Sequence, residues 1–221
     1  QQLSGDQTIS AKVAFTGANP PAAAQAGLMM RQSIMDPGSP FYGVLVNPNG
    51  TATVSWRVND ELVTRTNVPV PGNTTYMQIV RYTDTSRSPV QTYYSAATSP
   101  DGSNWTTVNQ STVALNLGGG QSGPTWAGLA AASSVQPTLV PASFSSVSIT
   151  ATASPPPGVC PLATGNMPEF TCNDVGTSFL PGDQTVSNGV FNVQASGGDI
   201  WSVYDQFRYL WVPPGLVTET T

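Results

Sequence analysis

The 221-residue chain carries 7 Lys and Arg against 12 Asp and Glu, a formal charge of -5, with 9% charged residues in all. With so few cations it has no basic surface to neutralise phosphates, which excludes nucleic acid as a partner. With no His it also excludes a Ser-His-Asp triad, a His-liganded zinc site and a histidine pH switch.

Gly and Pro supply 41 residues and Ser and Thr 49, far more than the charged residues do, the texture of a β-rich, extracellular type of chain. From the start, Ile9, Ala11, Val13 and Phe15 alternate on one strand face and place Lys12, the sole lysine, on the other. In AGLMMRQS (26–33), Leu28 and Met30 share one face while Met29 and Arg31 share the opposite one. Arg31 is expected there to brace the sheet through backbone carbonyls or a carboxylate. FYGVLVN (41–47) and TATVSWRV (51–58) read as the two arms of a hairpin, with Asn49-Gly50 between them as the preferred pair of a type I′ turn. Asp60-Glu61 falls beside an expected turn. Further strands are expected over 75–83, 90–96, 104–115, 124–132 and 142–152. No window of a dozen residues has helical periodicity. Many short strands with Gly and Pro punctuation make an all-β chain, an antiparallel sandwich or jelly roll.

From Ser154 the texture changes. SPPPGVCPLATGNMPEFTC (154–172) has three consecutive prolines and no alternation, and reads as a linker. The two cysteines, Cys160 and Cys172, are expected to close a short disulfide loop within it, as in a secreted protein; two free thiols are the alternative. The domain reading is 1–153 as a sandwich, 154–173 as linker and 174–221 as a strand-bearing extension. Strand texture returns at 189–195 and 199–212, where Phe207, Tyr209 and Trp211 share a face. No apolar run approaches the roughly 18 residues that span a bilayer, so no membrane insertion is expected. The chain starts at Gln1 rather than Met, which reads as a processed or excised polypeptide and, with the cysteines, as a secreted or cell-surface one.

Several strings resemble the concanavalin A-like and laminin G-like β-sandwich modules of secreted bacterial proteins related to DUF1349: GDQTISAKV (5–13), AGLMMRQS (26–33), YYSAATSPDGSNWTTV (93–108), WAGLAAASS (126–134) and ASFSSVSI (142–149). In that family a pattern like GADIW followed by DQFxYxY precedes all of these. Here it stands at the other end, within 187–211. The resemblance therefore implies a sandwich short of its first strands and a tail of strands, including Val190, Phe191, Val193, Ile200, Trp201, Phe207, Tyr209 and Trp211, that must dock somewhere. The tail completes its own sandwich, completes that of a neighbouring copy, or marks a cut through a tandem array.

Ser99-Pro100-Asp101-Gly102-Ser103-Asn104-Trp105 resembles the Asp-box turn of sialidases. Asp101 is expected to accept backbone N-H groups, Gly102 to supply positive φ and Trp105 to pack beneath the turn, a structural rather than catalytic unit. The few acids form no recognisable catalytic pair, and a serine nucleophile would have to use Lys12 as its partner, so no enzymatic activity is expected. Trp56, Tyr76, Tyr82, Tyr93 and Tyr94 are the candidates for stacking sugar rings, with cross-strand packing as their other role. No cofactor is expected. A calcium site on Asp36, Asp101 or backbone carbonyls has weak support because no dense run of Asp ligands exists. The sequons at Asn49, Asn73, Asn104 and Asn109 mean surface glycosylation if the chain passes through a eukaryotic secretory pathway, and in a bacterial source are chance in a chain this rich in Ser and Thr. The leading expectation is an extracellular filament or surface-array subunit that polymerises by strand exchange; the alternative is a carbohydrate-binding or adhesion module. Its partners would be copies of itself or a polysaccharide.

Overall fold

The computed structural model describes residues 2–58, 61–70, 74–85, 90–117, 125–135, 137–156, 171–175, 183–187, 190–195 and 207–211. Its elements are all strands: β1 Gln2–Leu3, β2 Gln7–Phe15, β3 Gln25–Arg31, β4 Phe41–Asn47, β5 Thr51–Val58, β6 Glu61–Pro69, β7 Thr74–Asp84, β8 Gln91–Ser99, β9 Thr106–Thr107, β10 Val113–Ala114, β11 Thr125–Ala132, β12 Ala142–Ala151, β13 Thr171–Val175, β14 Asp183–Ser187, β15 Val190–Gln194 and β16 Phe207–Trp211. No helix occurs among the described residues, and so none is long and apolar enough to cross a membrane.

Period-2 alternation builds the core directly. Ile9, Ala11, Val13 and Phe15 of β2, Leu28 and Met30 of β3, Val44 and Val46 of β4, Val54 of β5 and Met77 and Ile79 of β7 are all buried. In these strands one face is hidden and the other is more open, the half-buried strand of a sandwich, whereas β8 is buried on both faces from Thr92 to Ala97. One antiparallel sheet has the order β1-β11-β3-β4-β5-β6 and the other β10-β8-β7-β2-β12, with β9 paired to β8. The chain is thus an antiparallel β-sandwich, the class that the resemblance implied.

Three expectations need correction. The β4–β5 loop has three residues rather than two: Asn47 pairs with Thr51, the Gly50 N-H donates to the Asn47 carbonyl at 3.1 Å, and only Gly50 takes positive φ, +80°. That is a type I turn closed by a left-handed glycine, which suits a three-residue hairpin. The span 104–115 is broken into β9 and β10, because a turn at Asn109-Gln110 intervenes and Gln110 adopts φ +56°. A whole strand, β6, follows the expected turn at Asp60-Glu61 and hydrogen-bonds along β5 with a register shift between Ser55 and Trp56.

The tail forms two ladders of its own. β13 pairs with β16 and β14 with β15, each as a two-stranded antiparallel sheet. Among the described residues none of these four strands joins either sheet of the sandwich. β13 begins at Thr171, inside the stretch expected to be linker, with Cys172 opposite Leu210. Cys160, Ile200 and Trp201 lie outside the described residues, and with Cys160 so does the expected disulfide. Val190 and Val193 are exposed and Tyr209 is half exposed.

Candidate functional site

Of the aromatic residues picked out for sugar stacking, Tyr76, Tyr82, Tyr93 and Tyr94 stand on β7 and β8 of the second sheet and Trp56 on β5 of the first. Trp56 and Tyr94 are corrected out of that role: at 8% and 1% exposure they belong to the core. Tyr42 stands between them, its ring centroid 6.3 Å from Trp56 and 5.7 Å from Tyr94 in stacked geometry. The Tyr42 hydroxyl donates to the Ser111 carbonyl at 2.8 Å. Burial pushes that hydroxyl far above the usual phenol range, with the Ser111 bond opposing. Burial likewise raises Tyr94, opposed by the Thr125 hydroxyl and by Arg81. The parity of Trp56 with buried Val54 was the available signal.

Tyr76, Tyr82 and Tyr93 lie on the outer face of the second sheet, where Tyr82 is directly opposite Tyr93. They do not make a clear platform. Tyr76 is roofed on one side by the Lys12 ammonium, 5.4 Å from the ring centroid. On another side it packs against the Asp101 turn, where a Cβ on Gly102 would meet its ring at 2.7 Å. Tyr93 is largely buried and its hydroxyl donates to the Gln91 amide oxygen at 2.6 Å.

The Asp101 turn itself is tightly tied. Asp101 Oδ1 accepts the N-H groups of Ser103 and Asn104, both at 2.8 Å, and Oδ2 accepts the Asn104 amide at 2.7 Å. Gly102 sits at φ +78°. The bonds from Asn104 and Ser103 hold the Asp101 carboxyl well below the usual carboxylate range. Asp36 spends its carboxylate in the same way, on the Gly38 N-H at 2.8 Å. Neither acid has a cluster of ligating neighbours, and no group of three or more Asp, Glu, His or Cys forms among the described residues.

Trp105, which follows the turn, is partly buried and forms one wall of a cleft of about 230 Å³ on the outer face of the second sheet. The register explains the floor. Thr8 of β2, Val80 of β7 and Ser95 of β8 form one cross-strand row, and Gln78, Ala97 and Thr107 form the next. The opposite wall is 151–156, the chain leaving β12. It is pinned where the Thr152 N-H donates to the Asp6 carbonyl at 3.1 Å and where the Thr152 and Thr8 hydroxyls meet at 2.9 Å. Pro155 and Pro156 stiffen it.

No charged residue lines this cleft. Its polar groups are hydroxyls and one primary amide, and neither Gln78 nor Thr107 has a side-chain hydrogen bond among the described residues. A flat indole wall, an amide and hydroxyls suit a neutral, hydroxyl-rich ring with an apolar face.

Arg31 and Arg57, on the outer face of the first sheet, are brackets for the 32–40 loop. Arg31 Nη2 donates to the Asp36 carbonyl at 2.6 Å and to Ser39 Oγ at 3.0 Å. Arg57 Nε and Nη2 donate to the Ser39 carbonyl at 3.2 and 2.9 Å, with the guanidinium 5.1 Å over Phe41. Arg81, which the sequence reading passed over, is 1% exposed inside the sandwich and donates through Nη1 to the Gly5 carbonyl at 2.8 Å.

No protein-family model matches the chain, and no curated protein does. Among solved structures it is similar to the GH43 protein BlXynB from Bacillus licheniformis, at 12% identity and a TM-score of 0.49, over 66% of this chain and 28% of that one. A mutant of the same protein gives 13% and 0.44, with the same coverage. Sheep galectin-11 in complex with glycerol gives 12% and 0.40, over 68% of this chain and 95% of the galectin. The chain therefore spans less than a third of BlXynB. At TM-scores below 0.5 none of these likenesses bears on function.

Proposed function

We propose that the protein is a non-catalytic carbohydrate-binding module that holds a neutral glycan in the cleft between Trp105 and the 151–156 segment. The observation that supports this reading is the lining itself: one partly exposed indole, the Gln78 amide, the hydroxyls of Thr8 and Thr107, and no charge. A sugar ring offers C-H groups to an indole face and hydroxyls to the sheet, so this cleft meets both halves of its chemistry. At about 230 Å³ the cleft is the size for a ring or two rather than a buried chain, as suits a module that grips a polysaccharide from the side. The cleft binds and does not cut. The experiment is affinity electrophoresis through gels containing neutral polysaccharides (cellulose derivatives, xylan, mannan, β-glucan) beside anionic ones (polygalacturonate, alginate). Retardation by at least one neutral polymer, lost in Trp105→Ala, is the expected result. Equal mobility in every gel, or retardation by anionic polymers alone, overturns the reading.

A further inference from the structure

At one end of the first sheet the two-residue β1 covers only part of the outer edge of β11. β1 occupies it at Thr125 and Trp126, while residues 128–132 pair with β3 on one side and with no strand on the other among the described residues. Exposed edges are normally blunted by charge, proline or a bulge. This one has none of these: its sequence is TWAGLAAA and its register with β3 is unbroken.

Both faces beside the open edge are apolar and incompletely covered. On the outer face a groove of about 450 Å³ is lined by Met29, Arg31, Ile34, Trp126, Gly128 and Ala130, among others. A Cβ at Gly128 would meet nothing within 4 Å, and Ile34 is 60% exposed. Leu129, opposite fully buried Leu28 on the core side of the sheet, is still 46% exposed. The sheet thus ends one strand early, with backbone groups and apolar surface both waiting.

We propose that this edge accepts strand β16 of a second copy of the chain, which adds beyond β11 while keeping β13 as its partner on the other side. β16 is five residues long, the length of the open stretch. Among the described residues only one of its edges is occupied, by β13, so it joins without unfolding. Its alternation puts Tyr209 on one face and Leu210 on the other. Tyr209 meets the outer groove, where Gly128 leaves room for a ring laid across it, and Leu210 meets Leu129. Tyr209 is 50% exposed, so it has area left to bury. Donor and acceptor are different surfaces of one chain, so the contact is heterologous and propagates from copy to copy.

The test is sedimentation velocity on the full chain from micromolar to millimolar concentration. The wild type is expected to gain mass steadily. The acceptor variant Leu129→Glu and the donor variant Tyr209→Lys are each expected to stay at monomer mass. Mixed one to one, they are expected to form a dimer and nothing larger, since only one working donor and one working acceptor remain. Should Leu129→Glu fail to fold by circular dichroism, Ala132→Lys, at an exposed position of the same edge, replaces it. A wild type that stays monomeric throughout overturns the proposal, including one whose 128–132 amides are protected by its own tail. So do variants that assemble as the wild type does, or a mixture that does not associate.

Discussion

Trp105 is where the glycan reading is most exposed to refutation. Removing its indole by Trp105→Ala strips one wall from the cleft while leaving the floor rows Thr8, Val80, Ser95 and Gln78, Ala97, Thr107 on their strands. A tryptophan presents 150–250 Å² or so. Trp105 is partly buried, which leaves roughly 70 Å² for a ligand to cover. At about 25 cal/mol per Å², that area contributes about 2 kcal/mol to binding, a loss of some 20- to 30-fold in affinity. Isothermal titration with the oligosaccharide of whichever neutral polymer retards the protein measures it, and urea unfolding of the same variant checks that the sandwich persists. Gln78→Ala should cost less, about 1 kcal/mol or some fivefold, for one neutral hydrogen bond. A change under twofold in Trp105→Ala, with the fold intact, refutes the argument from the cleft. A loss equal to that caused by Tyr82→Ala, outside the cleft lining, would show that a different surface binds.

Three further outcomes follow from the interior and the turn. Tyr42→Phe keeps both stacked rings but leaves the Ser111 carbonyl without its donor, and should cost about 1 kcal/mol in urea unfolding, or about 2 to 4 °C in melting temperature for a chain of this size. Arg81→Leu removes the donor to the Gly5 carbonyl and the neighbour of the Tyr94 hydroxyl; it should cost about 2 to 3 kcal/mol, and a stabilised variant would show that the guanidinium is poorly accommodated. The Asp101 carboxyl is held low by its turn, so its contribution is present in full above the ordinary aspartate value and is lost as pH falls through the folded one. The urea midpoint of the wild type should therefore drop toward that of Asp101→Asn as pH is lowered below about 4; a gap between the two that stays constant down to strongly acidic pH contradicts the assignment.

How far the sequence could be read depended on what each signal encodes. Alternation encodes burial of one face, so β2, β4 and β5 were legible wherever Val, Ile and aromatic residues marked that face. β6 was not, because ELVTRTNVP interleaves Thr, Arg and Asn and carries no sustained apolar stripe. The Asn49-Gly50 signal located the hairpin but not its loop length, since Pro48 precedes it and a left-handed glycine closes three-residue loops as well. The missed break in 104–115 has a similar origin: Gln110 takes a left-handed conformation that its side chain does not advertise. The candidate site was legible only in part. Aromatic identity says nothing about which side of the sheet a ring takes, and two of the five stacking candidates proved to be core. In the sequence Trp105 reads as part of the turn it follows. Its role in the cleft depends on 151–156, a segment some 45 residues further along that returns across the sheet because Thr152 is tied to Asp6 and Thr8.

That tie has a mechanical side. The 151–156 segment is at once the second wall of the cleft and the stretch of chain that leads on to the tail strands. A pull on the tail passes buried Pro156 and reaches the contacts of Thr152 with Thr8 and Asp6 before the ladder of β12 with β2 feels it. Those few hydrogen bonds are a weak point set in series with the ladders of β2 and β12, so tension would spread the cleft well before it unfolded the domain. A module anchored by its tail would then hold its ligand firmly when slack and release it under load.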